Sequence, residues 1–240
     1  MELTKMNQLK EDALQFGVEL NEKQLSQFHK YYEMLIDWNE KINLTAITEF
    51  EEVIKKHFLD SISIGRLIRQ KDAISILDIG TGAGFPGVPI KIAFPNVKIT
   101  LLDSLNKRVN FLNEVIRELE LDNICTLHGR AEDFAKKKEM REQFDFCVSR
   151  AVANLSSLTE FCLPYVKVGG NFVSYKSEKA KEELDVAKNA ISILGGGNVK
   201  AEEFLLPGTD FKRTFIIVEK VKETPAKYPR KAGTPIKQPL

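Results

Sequence analysis

The stretch Ile74-Ser75-Ile76-Leu77-Asp78-Ile79-Gly80-Thr81-Gly82-Ala83-Gly84 decides the fold. Its first six residues are a short β-type run, the pattern of a strand buried on both faces, and three alternate glycines follow at once. Glycines directly after a first parallel strand let the backbone approach a ligand at the carboxyl edge of the sheet, where doubly wound folds bind nucleotides. The spacing is Gly-x-Gly-x-Gly. A dinucleotide fingerprint would need its third glycine at Phe85, and no Walker Lys-Ser pair follows, so hydride-transfer cofactors fit less well. Taken alone, the cluster could also be only a turn.

Downstream, the pattern alternates. A helix over 88–94 with Pro89 in its first turn leads to a strand over 98–103 and a helix over about 107–121, whose buried face carries Val109, Leu112, Ile116 and Leu119. Strands over 124–127 and 144–149, a helix around 155–165 and a strand over 171–175 continue the alternation, which implies a parallel sheet covered on both faces. A helix over 178–194 closed by Gly195-Gly196-Gly197 and strands over 199–205 and 214–221 predict a closing antiparallel pair. Upstream, Leu25, Phe28, Tyr32, Leu35 and Ile36 recur at helical spacing. A break is expected from Trp38-Asn39 through Asn43-Leu44-Thr45-Ala46, and helical spacing resumes over 51–68. The expected organisation is a helical extension (1–70), a core (71–222) and an extended, basic, proline-rich tail (223–240).

The chain has 240 residues with 43% hydrophobic content, which excludes global disorder. No apolar run is long enough to span a membrane, and residues 1–5 lack the pattern of a signal peptide, so a cytoplasmic location is expected. Cys125, Cys147 and Cys162 lack metal-site or disulfide spacing and are expected to be buried small hydrophobes. No metal is expected. With no heptad seam or free apolar patch, nothing calls for more than a monomer. Thirty-five basic side chains against thirty-four acidic ones exclude a wholly cationic surface, so a polyanion would have to meet a local patch. The tail is one: Lys222, Lys227, Arg230, Lys231 and Lys237 face only Glu223. Lys136-Lys137-Lys138, with acids nearby, reads as a solvated face.

Four strand ends make one rim. Asp103 closes the second strand, where an acid can accept hydrogen bonds from both ribose hydroxyls of a nucleotide, or could simply cap the next helix. Gly129-Arg130-Ala131-Glu132 and Ser149-Arg150-Ala151-Val152 close the third and fourth.

These residues resemble a family. Asp78 to Gly87, Asp103-Ser104 with Lys107-Arg108, Gly129-Arg130-Ala131-Glu132, Ser149-Arg150-Ala151-Val152-Ala153 and Tyr228-Pro229-Arg230-Lys231 are similar to ribosomal RNA small subunit methyltransferase G, also called glucose-inhibited division protein B. Trp38-Asn39, Asn43-Leu44-Thr45 and Lys56-His57-Phe58-x-Asp60-Ser61 extend the likeness over essentially the whole chain. The resemblance implies an α/β fold, the Rossmann-like class I S-adenosylmethionine-dependent methyltransferase fold, with a seven-stranded, mostly parallel sheet and an N-terminal helical extension. It implies methyl transfer from S-adenosylmethionine to N7 of one guanine in the 530 loop of 16S ribosomal RNA, within the small subunit or its assembly intermediate. By family pattern the cofactor contacts are Gly80, Phe85, Ala131, Glu132 and Arg150; Gly82 and Gly84 join them through the glycine turn, and Asp103 through the ribose position of the wider class.

The chemistry follows from the acceptor. Guanine N7 has an in-plane lone pair and no proton, so no general base is needed, and positioning supplies most of the acceleration. After the fourth strand the chain has Ser-Arg-Ala-Val rather than the Asn-Pro-Pro-Tyr type of amino-group methylases, and no cysteine nucleophile is signposted. Phe85 could pack on cofactor or base, or plug the core. Arg150 could hold the cofactor or an RNA phosphate, or form a structural ion pair. His57 could be packed and held by Asp60, or meet RNA. Lys176, after the fifth strand, is a further candidate RNA contact. The tail could follow phosphates through Arg230 and Lys231 while Tyr228 stacks on a base, or be a disordered terminus. On the first reading, its deletion weakens RNA engagement and spares cofactor binding. A methyltransferase for a small molecule or protein shares every cofactor feature, and an RNA-binding assembly factor on the same fold is a third reading, disfavoured by the intact glycines and Asp103.

Overall fold

The computed structural model describes residues 2–150, 153–177 and 180–240. Ala151 and Val152 of the fourth-strand motif, and the expected helix start at Glu178, lie outside them.

The helical period before residue 70 yields α1 (Glu2–Leu14) and α2 (Glu22–Ile42). A capping box opens α2: the Asn21 side chain accepts from Gln24 N–H, and the Gln24 side chain accepts from Asn21 N–H. The break expected at Trp38-Asn39 does not occur there. The helix runs to Ile42 and closes at Asn43 in the left-handed region (φ 50°). Asn39, still helical, turns its Oδ1 onto the N–H groups of Leu44 and Thr45 at 2.6 and 2.8 Å. It therefore shapes the loop beyond the helix end without itself ending the helix. Next, α3 (Phe50–Val53), a π-helical turn (Ile54–Leu59), α4 (Asp60–Ile62) and a 3-10 turn (Ser63–Arg66) run on as one stretch.

The core alternates β1 (Ser75–Ile79), α5 (Gly87–Ala93), β2 (Lys98–Asp103), α6 (Asn106–Glu118), β3 (Ile124–His128), α7 (Ala131–Phe134), β4 (Phe144–Arg150), α8 (Leu155–Cys162), β5 (Val166–Lys176), α9 (Ala180–Ile193), β6 (Gly196–Leu205) and β7 (Lys212–Lys220). The seven strands lie in the order β3-β2-β1-β4-β5-β7-β6. The first five are mutually parallel, and β7 is antiparallel to both neighbours. The expected closing pair is present, with β7 slotted between β5 and β6. From β1 the chain moves to β2 on one side and returns to β4 on the other, so a crevice opens at the carboxyl ends of β1 and β4.

Neighbouring strand residues point to opposite faces. Ile76, Leu101, Val148, Val173 and Phe215 join one buried cluster, and Leu77, Leu102, Cys147, Phe172 and Ile216 join the other. The first cluster is completed by the extension, through Leu9, Phe28, Tyr31, Phe58 and Ile62, so the first seventy residues share the core of one sheet face. The second is covered by α8 and α9.

Other expectations need correction. β5 begins at Val166, five residues early, because a bulge past Gly169 (φ +86°) lets the strand re-pair. Only Gly195 ends α9; Gly196 and Gly197 already pair with β7. Cys125 is exposed on the edge strand β3, whereas Cys147 and Cys162 are buried. The tail is not an extended arm. It folds back over α8, includes the short helix α10 (Thr234–Lys237), and buries Tyr228 in the second cluster.

Candidate active site

A cleft of about 880 Å³ opens at the crevice, between the glycine turn after β1, the ends of β4, β5 and β7, and the loop and π-helical turn of the extension. The turn is tied to β2, since Gly80 and Thr81 N–H donate to Leu102 O at 2.9 and 3.3 Å. Beneath it, the buried Asp78 carboxylate accepts from Thr81 Oγ1 at 2.6 Å and Gly87 N–H at 2.8 Å through Oδ2, and burial pushes its pKa up to about 6. Asp78 Oδ1 has no partner among the described residues.

The glycines divide their work. At Gly82 (φ +62°) a Cβ would meet nothing within 4 Å, so that side of the turn is open to a ligand. At Gly84 (φ +96°) a Cβ would lie 2.6 Å from Tyr31 Oη and 2.8 Å from Leu112. Gly84 does not line the cleft; it makes room for α2, whose Tyr31 hydroxyl donates to Ala83 O. The extension therefore grips the glycine turn from behind.

Asp103 is buried at the end of β2. Its Oδ2 accepts from Gly82 N–H and its Oδ1 from Leu105 N–H, both at 2.9 Å, with an Arg108 Nη1 contact at 3.5 Å. It is not the N-cap of α6, a position held by Leu105 without a side-chain bond. Asp103 instead joins the glycine turn to the turn after β2, beside the cleft-lining Gly82 and Arg108.

The wall opposite the glycines is a chain of contacts around one carboxylate. Asp60 is 4% exposed. Its Oδ2 accepts from Arg150 Nη1 at 2.7 Å and its Oδ1 from Arg213 Nε at 2.8 Å. Arg150 Nη2 donates to His57 Nδ1 at 3.3 Å, which puts the His57 proton on Nε2, donated to Thr45 Oγ1 at 2.9 Å. His57 is thus packed by Thr45 and Arg150 rather than by Asp60, with its ring on the cleft wall. Its ring stacks on Phe85 at 4.4 Å, and the Arg150 guanidinium lies 5.2 Å from the Phe85 ring. Phe85, 7% exposed and also against Tyr31, is a core plug with an edge on the cleft.

Burial and the Arg150 charge hold His57 down at about 3. An unfolded histidine near 6.5 takes up a proton that the folded one refuses, so the neutral form stabilises the fold above about 6.5 and that contribution fades as pH falls toward 3. His57→Asn should flatten the acid side of the stability profile between those values in chemical melts. An unchanged slope would show that His57 titrates normally.

Of the sequence candidates, Gly80, Gly82, Phe85, His57, Arg150 and Lys176 meet at the cleft. Lys176 is committed there: Nζ donates to Ala153 O at 3.1 Å and Glu183 Oε2 at 2.8 Å. Ala131 and Glu132 lie beyond the lining, where Ala131 O accepts from Tyr165 Oη and Glu132 Oε1 from Gly233 N–H at 2.8 Å. Tyr228 and Arg230 are elsewhere: Tyr228 is 8% exposed, and Arg230 forks onto Glu160. Lys231 is exposed. Arg213, Thr45, Asn154 and Glu183 line the cleft and were not singled out for it from sequence. The quoted Asn43-Leu44-Thr45 motif marks one; the others had no local mark.

A sheet of this order, with a glycine turn after its first strand and an acid after its second, defines the S-adenosylmethionine-dependent methyltransferase fold. It is similar to a solved SAM-dependent methyltransferase from Aquifex aeolicus (TM-score 0.52, 18% identity, covering 71% of this chain and 93% of that one). A Methanococcus jannaschii fibrillarin pre-rRNA processing protein shares the fold at TM-score 0.51 and 16% identity, covering 68% and 74% of the two chains.

The chain belongs to the rRNA small subunit methyltransferase G (GidB) family, whose model matches residues 24–209. Relatives named ribosomal RNA small subunit methyltransferase G are 58% identical in Lachnoclostridium phytofermentans, over 93% of each chain, and 52% identical in Exiguobacterium sp., over 93% of this chain and 94% of that one.

Proposed function

We propose that this protein is a small-subunit ribosomal RNA methyltransferase that uses S-adenosylmethionine to methylate N7 of one guanine in the 530 loop of 16S RNA. The observation that carries the reading is a cleft whose one histidine has no free lone pair. Nδ1 of His57 is taken by Arg150, Nε2 bears the proton, and the ring stays neutral down to about pH 3. The Asp60 carboxylate is engaged by two arginines. With neither His57 nor Asp60 poised as a base, the site suits an acceptor that need not lose a proton, as guanine N7 does not.

The residues present fit the cofactor, because Gly82 offers an open backbone face and Asp103 stands beside it with a fixed, buried carboxylate. When bound, S-adenosylmethionine supplies an electrophilic methyl on a sulfonium. Gly80 and Gly82 would admit it against the backbone, Asp103 would accept from its ribose hydroxyls, and Arg150 would hold its place from the Asp60 anchor. Among the described residues, five basic side chains line the cleft against two acidic ones, which suits a polyanionic acceptor and predicts steep loss of binding with salt.

Asp103→Ala should weaken cofactor binding by about 1.5–3 kcal/mol, ten- to a hundredfold, because both the ribose acceptor and the tie to Gly82 are lost. Equal calorimetric affinity of mutant and wild type would confine Asp103 to a structural role. The activity itself is tested with labelled S-adenosylmethionine and small subunits lacking the modification. A single labelled 7-methylguanosine is expected, and label on another nucleoside or none on the RNA would refute the reading.

A further inference from the structure

Glu183, in the first turn of α9, lines the cleft on the β4–β5 side, across the sheet order from Gly82 and Asp103. Its Oε2 accepts from Leu155 N–H and from Lys176 Nζ, both at 2.8 Å, and Lys176 is itself pinned to Ala153 O. The carboxylate is held from two elements, α8 and β5, yet 29% of the side chain remains exposed. Oε1 accepts from no group among the described residues. We infer that Glu183 Oε1 takes the N1–H of the target guanine while Lys176 Nζ donates to O6, making this pair the base-reading element of the site.

The inference rests on the guanine-N7 reading and deepens it. Guanine presents acceptor O6 beside donor N1–H along its Watson–Crick edge, and a locked lysine–glutamate pair presents the complement, donor beside acceptor. Adenine presents the reverse, so its N1 lone pair would face a carboxylate oxygen. N7 lies on a different edge and stays clear. As the methyl group arrives the ring becomes cationic and N1–H more acidic, so its bond to the carboxylate strengthens in the transition state and acts on turnover.

The test offers small subunits lacking the modification, bearing either guanine or adenine at the target, to wild type and Glu183→Gln under single-turnover conditions. Wild type should make 7-methylguanosine and leave adenine unlabelled. Glu183→Gln keeps an acceptor for Leu155 N–H, yet its guanine rate should fall about 100-fold while the cofactor Kd stays within about twofold. It should leave adenine unlabelled as well, because Lys176 Nζ still faces the adenine amino group, donor against donor. A guanine rate within about threefold of wild type would overturn the inference and leave the function standing. A wild-type product other than 7-methylguanosine would overturn both. If Glu183→Gln loses cofactor binding, Lys176→Met decides by the same rate criterion, since it removes the O6 donor.

Discussion

Arg230→Ala is expected to destabilise the protein by about 3–5 kcal/mol and lower its melting temperature by roughly 10 °C. Glu160 on α8 is fully buried. Among the described residues, every donor bonded to it belongs to Arg230: the backbone N–H at 2.7 Å, Nε at 3.0 and 3.1 Å, and Nη2 at 2.6 Å. Truncation leaves a buried carboxylate with a single backbone N–H. Its neighbours depend on the same seating, since Arg141 donates to Thr224 O at 2.6 Å and Tyr228 O at 2.9 Å, and Ser157 Oγ donates to Pro235 O at 2.7 Å. The exposed Lys231 supplies the control, because Lys231→Ala should leave the melt unchanged. The same contacts revise the expected effect of removing residues 225–240. Such a chain strips partners from Glu160 and Glu132 together, so it should lose fold stability, and its cofactor affinity with it. A truncated chain that melts like wild type would show that these contacts do not form in solution.

What could be foreseen follows from the range over which each feature is encoded. β1, the glycine turn and Asp103 are written in runs of adjacent residues, because a buried strand is an unbroken apolar stretch and a tight turn needs glycine. The alternation of periods then gave the parallel sheet and the antiparallel pair. The Arg150–Asp60–Arg213 wall joins residues 90 and 153 positions apart, and no local pattern announces it. The i,i+3 spacing of His57 and Asp60 even suggested a different pairing. The π-helical turn over Ile54–Leu59 departs from the 3.6-residue period, and Asp60 meets the arginines while His57 meets Thr45. The tail misled for a related reason. Prolines and cations describe an extended, solvated strand unless a buried acid waits for one of them, and Glu160 sits 70 positions away inside an apolar helix.

Asp60→Asn is expected to cost about 100-fold or more in methyl transfer at saturating RNA, with weaker cofactor binding alongside. Arg150 and Arg213 leave only 14% and 20% of their side chains exposed, so water screens their repulsion poorly. One carboxylate, with an oxygen for each, lets both stand at the cleft. An asparagine keeps one acceptor and turns an N–H₂ toward the second guanidinium, donor against donor, so one arginine must move. If Arg150 moves, its bond to His57 Nδ1 and its place by the Phe85 ring go with it, and the wall facing the glycine turn loosens. Arg213→Met separates the two contributions. It removes a charge that Asp60 must share but leaves the Arg150 bond intact, so cofactor affinity should survive while RNA binding weakens and its salt dependence becomes shallower. Cofactor binding lost equally in both variants would mean that Arg150 is placed by the pair of arginines rather than by Asp60. Wild-type turnover in Asp60→Asn would mean that Arg150 holds its position from β4 alone. Because Asp60 comes from the helical extension and Arg150 from the sheet, the expected loss would make the extension part of the active site and not only its cover.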